Sequence, residues 1–203
     1  AVMLKGLTSW YLLRETYLVR PAETIVIYAA VGGVGSIMVQ WAKHLGAIVV
    51  GIVGNQEKNK MALELGYDYV LHSNHDLASQ VRSITGGIGV PVVYDSVGIA
   101  TVEESLKMLS PRGLLVSFGN ASGPIKNFSI NDLAKHGSLY VTRPTLWTYI
   151  DDRDALVRGS KELFDLVESS TISITIGQRY KLVEAMKAHQ DLEARKTFGS
   201  TVI

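Results

Sequence analysis

The string Ala29-Ala30-Val31-Gly32-Gly33-Val34-Gly35 stands directly after a short apolar run and directly before an amphipathic stretch. A glycine-rich turn between a strand and a helix lets the main chain approach a pyrophosphate, with the N–H groups of the helix end directed at it. Set against G-x-G-x-x-G, the string runs from Ala30 to Gly35 with alanine at the first glycine. Gly32 would admit the phosphates closely, and Gly35 would let the helix pack on the strand. Its place in a strand–turn–helix–strand unit points to a dinucleotide site; a merely tight structural turn is the other reading.

The end of the next apolar run bears on which dinucleotide. NAD sites place an Asp or Glu about 20 residues past the glycines, where it accepts hydrogen bonds from the ribose. Here the chain reads Val53-Gly54-Asn55-Gln56-Glu57-Lys58, with no acid at Gly54 or Asn55. That leaves room for a 2′-phosphate, which Lys58 could neutralise and to which Asn55 could donate a hydrogen bond. The spacing favours NADPH over NADH; Lys58 and Lys60 as ordinary solvated residues at a helix start is the alternative. Two further turns, Asp95-Ser96-Val97-Gly98 and Gly119-Asn120-Ala121-Ser122-Gly123, follow later apolar runs. Their small residues leave space for a flat ring. Asp95 suits a cap of its own turn better than a catalytic acid. Histidines 44, 72, 75, 136 and 189 lack metal-ligand spacing, Trp10, Trp41 and Trp147 are too scattered for a base-stacking platform, and no G-x-S-x-G elbow occurs.

Elements of a particular kind must position these turns. Apolar runs at 25–30, 48–53, 69–72, 90–94, 114–118 and 138–142 alternate with helix-period stretches at 36–45, 57–65, 77–84, 101–109 and 130–135. Near-continuous apolar strands separated by helices predict a doubly wound α/β sheet of six parallel strands. A helix over 7–18 would enter this sheet from outside. After Pro144 the rhythm changes to a helix over 155–168, a strand at 172–176, a helix over 182–192 and a strand at 201–203, too few elements for a core of their own. With strand order 3-2-1-4-5-6 the segment 139–142 would be a sheet edge, open to pairing with a second copy as a homodimer.

Composition narrows the function classes. The 203 residues carry 20 Lys+Arg against 19 Asp+Glu, a formal charge of +1, which argues against a nucleic-acid or anionic-membrane partner. Zero cysteines leave no disulfide, thiol nucleophile or cysteine-ligated metal within the chain and fit a cytoplasmic location. No apolar run approaches the ~18–20 residues of a membrane span. The start at Ala1 suggests a piece of something longer.

Several strings together carry a resemblance. Lys5-Gly6-Leu7-Thr8-Ser9-Trp10-Tyr11-Leu12-Leu13, the glycine turn, Val93-Tyr94-Asp95-Ser96-Val97-Gly98, Ser117-Phe118-Gly119-Asn120-Ala121-Ser122-Gly123, Arg143-Pro144-Thr145-Leu146 and Asp191-Leu192-Glu193-Ala194-Arg195 resemble motifs of the NADPH:quinone oxidoreductases. These form the zeta-crystallin-like branch of the medium-chain dehydrogenase/reductase superfamily. The resemblance implies a Rossmann-type NADPH-binding domain over 1–150, with 1–20 as its entering helix. Residues 151–203 would return to a GroES-like catalytic domain that precedes Ala1 in relatives.

By position, the resemblance implies that Gly32, Gly33, Val34 and Gly35 bind pyrophosphate and that Lys58 meets the 2′-phosphate. Phe118, Gly119, Asn120, Thr145 and Leu146 match the nicotinamide side, Gly98 lies in the turn facing it, and Arg195 matches an arginine reaching cofactor phosphate. Ser73 stands where relatives often have tyrosine or histidine, a contact that Ser73 or His72 would have to replace. Zinc-dependent members of the superfamily supply a cysteine from the segment corresponding to Met3-Leu4-Lys5-Gly6, where this chain has none. The expectation is therefore a zinc-independent enzyme passing reducing equivalents from NADPH to a quinone, with no catalytic side chain named in this chain. An NADPH-dependent alkenal or enone double-bond reductase and a non-catalytic module that binds NADPH or, less favoured by the near-zero net charge, RNA are the alternatives.

Overall fold

The run Thr24–Tyr28 (β1) is apolar through its interior because it lies at the middle of a sheet covered on both faces, and Ile25, Val26 and Ile27 are wholly buried. The computed structural model describes residues 1–73, 76–194 and 196–203. Around β1 the strands Ile48–Val53 (β2), Tyr69–His72 (β3), Val90–Asp95 (β4), Leu109–Ser117 (β5) and Tyr140–Thr142 (β6) form a six-stranded sheet in the order β3-β2-β1-β4-β5-β6. Every pair is parallel. The helices Gly35–His44 (α2), Glu57–Glu64 (α3), Leu77–Ile84 (α4), Val102–Met108 (α5) and Ile130–Lys135 (α6) are the crossovers. Two apolar clusters fill the faces: one centred on Trp10, Ile27, Trp41 and Tyr94, the other on Val26, Tyr28, Val93 and Met108. The doubly wound order places the reversal of winding between β1 and β4, so the glycine turn and the loop after β4 open into one crevice.

Local chemistry sets several element ends. Ala29 takes φ 52° and leaves the strand two residues earlier than its apolar pattern predicts, opening the glycine turn. Ser138 at φ 57° delays β6 to Tyr140. Asp76 caps α4 by accepting from the Ser79 N–H, and Asp152 caps Arg153–Glu168 (α8) by accepting from Asp154 and Ala155. β5 begins at Leu109, earlier than its pattern predicts. Pairing with β4 jumps from Val90–Leu109 to Val92–Leu114, and the intervening residues bulge through Arg112 at φ 62°.

The entering helix is Met3–Tyr11 (α1), and it widens into a π-helical turn over Leu12–Thr16 rather than running on to residue 18. There the Tyr17 N–H reaches the Leu12 carbonyl, which also accepts from the buried Tyr94 hydroxyl at 3.1 Å. Leu12 and Leu13 are both fully buried as a result. Beyond β6 come Leu146–Tyr149 (α7), α8, Ile176–Arg179 (β7), a 3₁₀ turn at Leu182–Glu184, Ala185–Glu193 (α9) and Ser200–Val202 (β8). α8 packs on α1, with Gly159 against the Trp10 ring and Gly6 against Leu163. The strand expected at 172–176 lies instead at Ile176–Arg179. Gln40 holds the Ser173 N–H and carbonyl at 2.8 and 3.0 Å, and the register with β8 begins at Ile176–Ser200.

Candidate functional site

Carboxyl ends of parallel strands share one edge, so the ends of β1, β2, β4 and β5 face the same crevice. At the end of β1 the glycine turn folds tightly, its Gly32 N–H donating to the Ala29 carbonyl at 2.8 Å. Gly35 opens α2 against that strand. A methyl at Gly35 would lie 2.6 Å from the Ala29 carbonyl oxygen and 2.7 Å from that of Ala30, which is the close helix–strand approach expected of this position. The buried Tyr67 hydroxyl fixes the same place, donating toward the carbonyls of Ala30 and Gly35 at 3.1 and 3.0 Å. Burial holds that hydroxyl well above the usual phenol range. α2 has no acidic residue in its first turn and no side-chain cap. The Val34 N–H meets no main-chain acceptor among the described residues, which leaves the positive end of the helix open to an anion.

At the end of β2, Asn55 accepts from the Lys58 N–H at 3.1 Å and so starts α3. That bond uses the Asn55 amide oxygen and leaves its NH₂ for a ligand. The half-buried Lys58 directs Nζ to the Thr197 carbonyl at 3.4 Å. Two residues on, Gly199 forms an isolated parallel bridge with Gly32, and its N–H donates to the Val31 carbonyl at 2.9 Å. The C-terminal tail thus brings Lys58 and the glycine turn together, a role that no local pattern at Thr197 or Gly199 announces. Ser73 is exposed at the end of β3, its N–H donating to the Val53 carbonyl at 3.1 Å, and His72 precedes it. His75 and Arg195 lie outside the described residues.

Asp95 ends β4 and is 1% exposed. Its carboxylate accepts from the N–H groups of Val97 and Gly98 at 2.7 and 3.1 Å and from the hydroxyls of Thr101 and Ser105 at 2.7 and 2.9 Å. The capping role expected of it is the one it plays. The loops after β4 and β5 are locked together. The carbonyls of Ser96 and Val97 accept from Ala121 and Ser122, and a methyl at Gly119 would strike Ser96. The smallness of Gly98 and Gly119 is therefore used by loop-to-loop packing, and what faces the crevice there is main chain. Phe118 packs against the first core cluster, and Asn120 is exposed on a cleft of about 490 Å³ with Ser117, Phe128 and Arg143. Thr145 bonds Thr148 across the start of α7, and Leu146 is buried. Tyr149 stacks on Tyr11 at 4.6 Å and 18°, pinning α7 to α1; burial, with Tyr149 beside it, pushes the Tyr11 hydroxyl up to about 12.

Residues 33–151 match the family described as zinc-binding dehydrogenase. The quinone oxidoreductase of Pseudomonas aeruginosa is 51% identical over the whole of this chain, which spans 63% of that protein's length. The 2-haloacrylate reductase of Burkholderia sp. is 45% identical over the whole chain, which spans 61% of it. The structure of Escherichia coli quinone oxidoreductase complexed with NADPH superposes with TM-score 0.96 at 48% identity, over 98% of this chain and 63% of that one. The donor set does not fit a zinc ion: the chain has no cysteine, and no group of three His, Asp or Glu comes together among the described residues. A nicotinamide nucleotide does fit. The Val34 N–H of the glycine turn is left without a main-chain acceptor among the described residues, and Lys58, in the first turn of α3, follows an end of β2 with no acid at Gly54 or Asn55. Among the described residues, no helix is long and apolar enough to cross a membrane.

Proposed function

This chain belongs to the zinc-binding dehydrogenase family, and from that premise we propose that it is the NADPH-binding part of a zinc-independent quinone oxidoreductase. The observation that carries the proposal is the joining of three features: the glycine turn, the acid-free end of β2, and Lys58 held beside that turn by the tail. Bound NADPH would supply the reducing equivalents. The residues of this chain bind and orient it. Gly32, Gly33, Val34 and Gly35 receive the pyrophosphate, and Asn55, Lys58 and Ser73 the adenosine phosphate; Arg195, outside the described residues, is assigned to cofactor phosphate by the resemblance alone. Gly98, Phe118, Gly119, Asn120, Thr145 and Leu146 line the nicotinamide side, where the hydrogen-bonded loops would orient the ring.

On this reading residues 1–150 form the nucleotide domain and 151–203 lead back toward a catalytic domain. What supports the division is the apolar face left open on the tail, where Leu182, Val183 and Met186 are 80, 90 and 74% exposed. The proposal includes a cytoplasmic location and a homodimer through β6, whose Tyr140 and Val141 stand exposed at the sheet edge. Light scattering of the full-length protein should give twice the monomer mass; a monomer at all concentrations would sink the dimer.

The similarity to 2-haloacrylate reductase favours a second reading, reduction of an electron-poor carbon–carbon double bond. Initial rates of the full-length protein on a panel of quinones and a panel of alkenals separate the two. Faster quinone turnover supports the first, and turnover of alkenals alone overturns it. For the cofactor, Lys58→Ala should weaken NADPH binding about ten- to a hundredfold and leave NADH unchanged, since a charge-assisted phosphate contact is worth about 1.5–3 kcal/mol. Titration calorimetry with both nucleotides checks this, and equal losses would remove the 2′-phosphate from Lys58.

A further inference from the structure

α1 carries one lysine, and the end of its side chain lies over the glycine turn. Cδ, Cε and Nζ of Lys5 would come within 2.6, 2.6 and 2.7 Å of a Cβ placed on Gly33, so the end of the side chain fills the space that a residue larger than glycine would need. The helix is registered for this placement. The Ser9 hydroxyl donates to the Lys5 carbonyl at 2.9 Å and lies 3.5 Å from that of Val34, while Gly6, buried against Leu163, sets α1 close to α8. Lys5 is half-buried, and loss of water holds its ammonium below the ordinary lysine range. Among the described residues, no carboxylate and no hydrogen-bond acceptor pairs with that ammonium. Neither α1 nor the start of α2 has an acidic residue in its first turn.

A partly desolvated cation without a counter-ion carries a cost, and the position of Lys5 points to the partner it lacks. It lies over the same turn as the open Val34 N–H and the positive end of α2, both of which favour an anion. We propose that Lys5 is a cofactor-binding residue whose ammonium pairs with the pyrophosphate of the nicotinamide nucleotide across Gly33. This rests on the nucleotide reading above and adds a contact that comes from the helix preceding β1 rather than from the glycine turn itself. Gly33 then serves a second purpose, leaving open the passage through which Lys5 reaches the ligand.

Three ligands separate this role from its rivals: NADPH, NADH and adenosine 2′-monophosphate, which has the 2′-phosphate and no pyrophosphate. In the full-length protein, Lys5→Met should weaken NADPH and NADH by the same factor, about tenfold, and leave adenosine 2′-monophosphate unchanged. Lys5→Arg, which keeps the charge, should retain most of the affinity for both dinucleotides. The thermal midpoint of ligand-free Lys5→Met should not fall, because the variant removes an unpaired cation. Unchanged dinucleotide affinity in Lys5→Met overturns the assignment, as does an equal loss for adenosine 2′-monophosphate or a lowered ligand-free midpoint. If the unaltered protein binds neither dinucleotide, the nucleotide reading falls and Lys5 falls with it; if it binds both and only the Lys5 variants fail the expectation, the reading stands without Lys5.

Discussion

Gly35→Val should lower the thermal midpoint by roughly 6–12 °C and abolish measurable NADPH binding. The branched side chain would drive its Cβ to 2.6 and 2.7 Å from two carbonyl oxygens, those of Ala29 and Ala30. Both obstacles are main chain, both belong to the tight turn, and the Ala30 carbonyl is further held by the Tyr67 hydroxyl. Nothing there yields by rotating a side chain, so α2 has to move away from β1. Overpacking of this kind costs about 3 kcal/mol, and in a protein of this size each kcal/mol moves the midpoint by roughly 2–4 °C. Moving α2 also carries the Val34 N–H out of the crevice, so binding is lost along with stability. Gly33→Ala is the control: the atoms in its way are the flexible end of Lys5, and the fold should keep its midpoint. A Gly35→Val protein with unaltered melting and NADPH affinity would refute the close packing of helix and strand.

The sequence made the winding of the sheet legible because the cause is local. Each strand is an apolar run short enough to be buried on both faces, as in Ile25-Val26-Ile27, and each crossover begins or ends at a turn residue. The same holds for Asp95, whose place at a strand end next to a small-residue turn is enough to predict a cap. The Gly35 contact was also legible, since glycine at that position has only one use next to a buried strand. Other features depend on contacts between residues distant in sequence. Nothing around Gly199 signals that it will pair with Gly32, and nothing around Thr197 signals that it will receive Lys58. Lys5 was legible only as a letter in the Lys5-Gly6-Leu7-Thr8 string; its place beside Gly33 depends on how α1 lies over the turn. The π-helical turn after Tyr11 escaped the helical period because it is fixed by Tyr94, a residue of the fourth strand. The small residues of Gly98 and Gly119 were legible as small, but their neighbours were not. The space they leave is taken by the opposite loop.

Asp95→Ala should be the most destabilising single substitution at the crevice, and comparison with Asp95→Asn decides between cap and acid. The alanine variant strips the acceptor from the N–H groups of Val97 and Gly98 and from the hydroxyls of Thr101 and Ser105, around a carboxylate that is itself buried. Hydrogen bonds to a buried charge are worth about 1.5–3 kcal/mol each but are not additive, because the loop relaxes once the first is gone. A net loss of about 4 kcal/mol is expected, or roughly 8–16 °C in the midpoint. Asparagine keeps an oxygen for the two N–H groups and offers NH₂ to the two hydroxyls, which can turn to accept. Its cost should be about 1–2 kcal/mol. The loop held by Asp95 holds the next one in turn, through Ala121 to Ser96 and Ser122 to Val97, so the alanine variant should also lose NADPH affinity on the nicotinamide side. Were Asp95 a proton donor, the asparagine variant would melt like the unaltered protein and turn over nothing. The buried cap requires the reverse pattern, a modest loss of midpoint with most of the turnover retained, and thermal melts run beside initial rates on the two variants distinguish them.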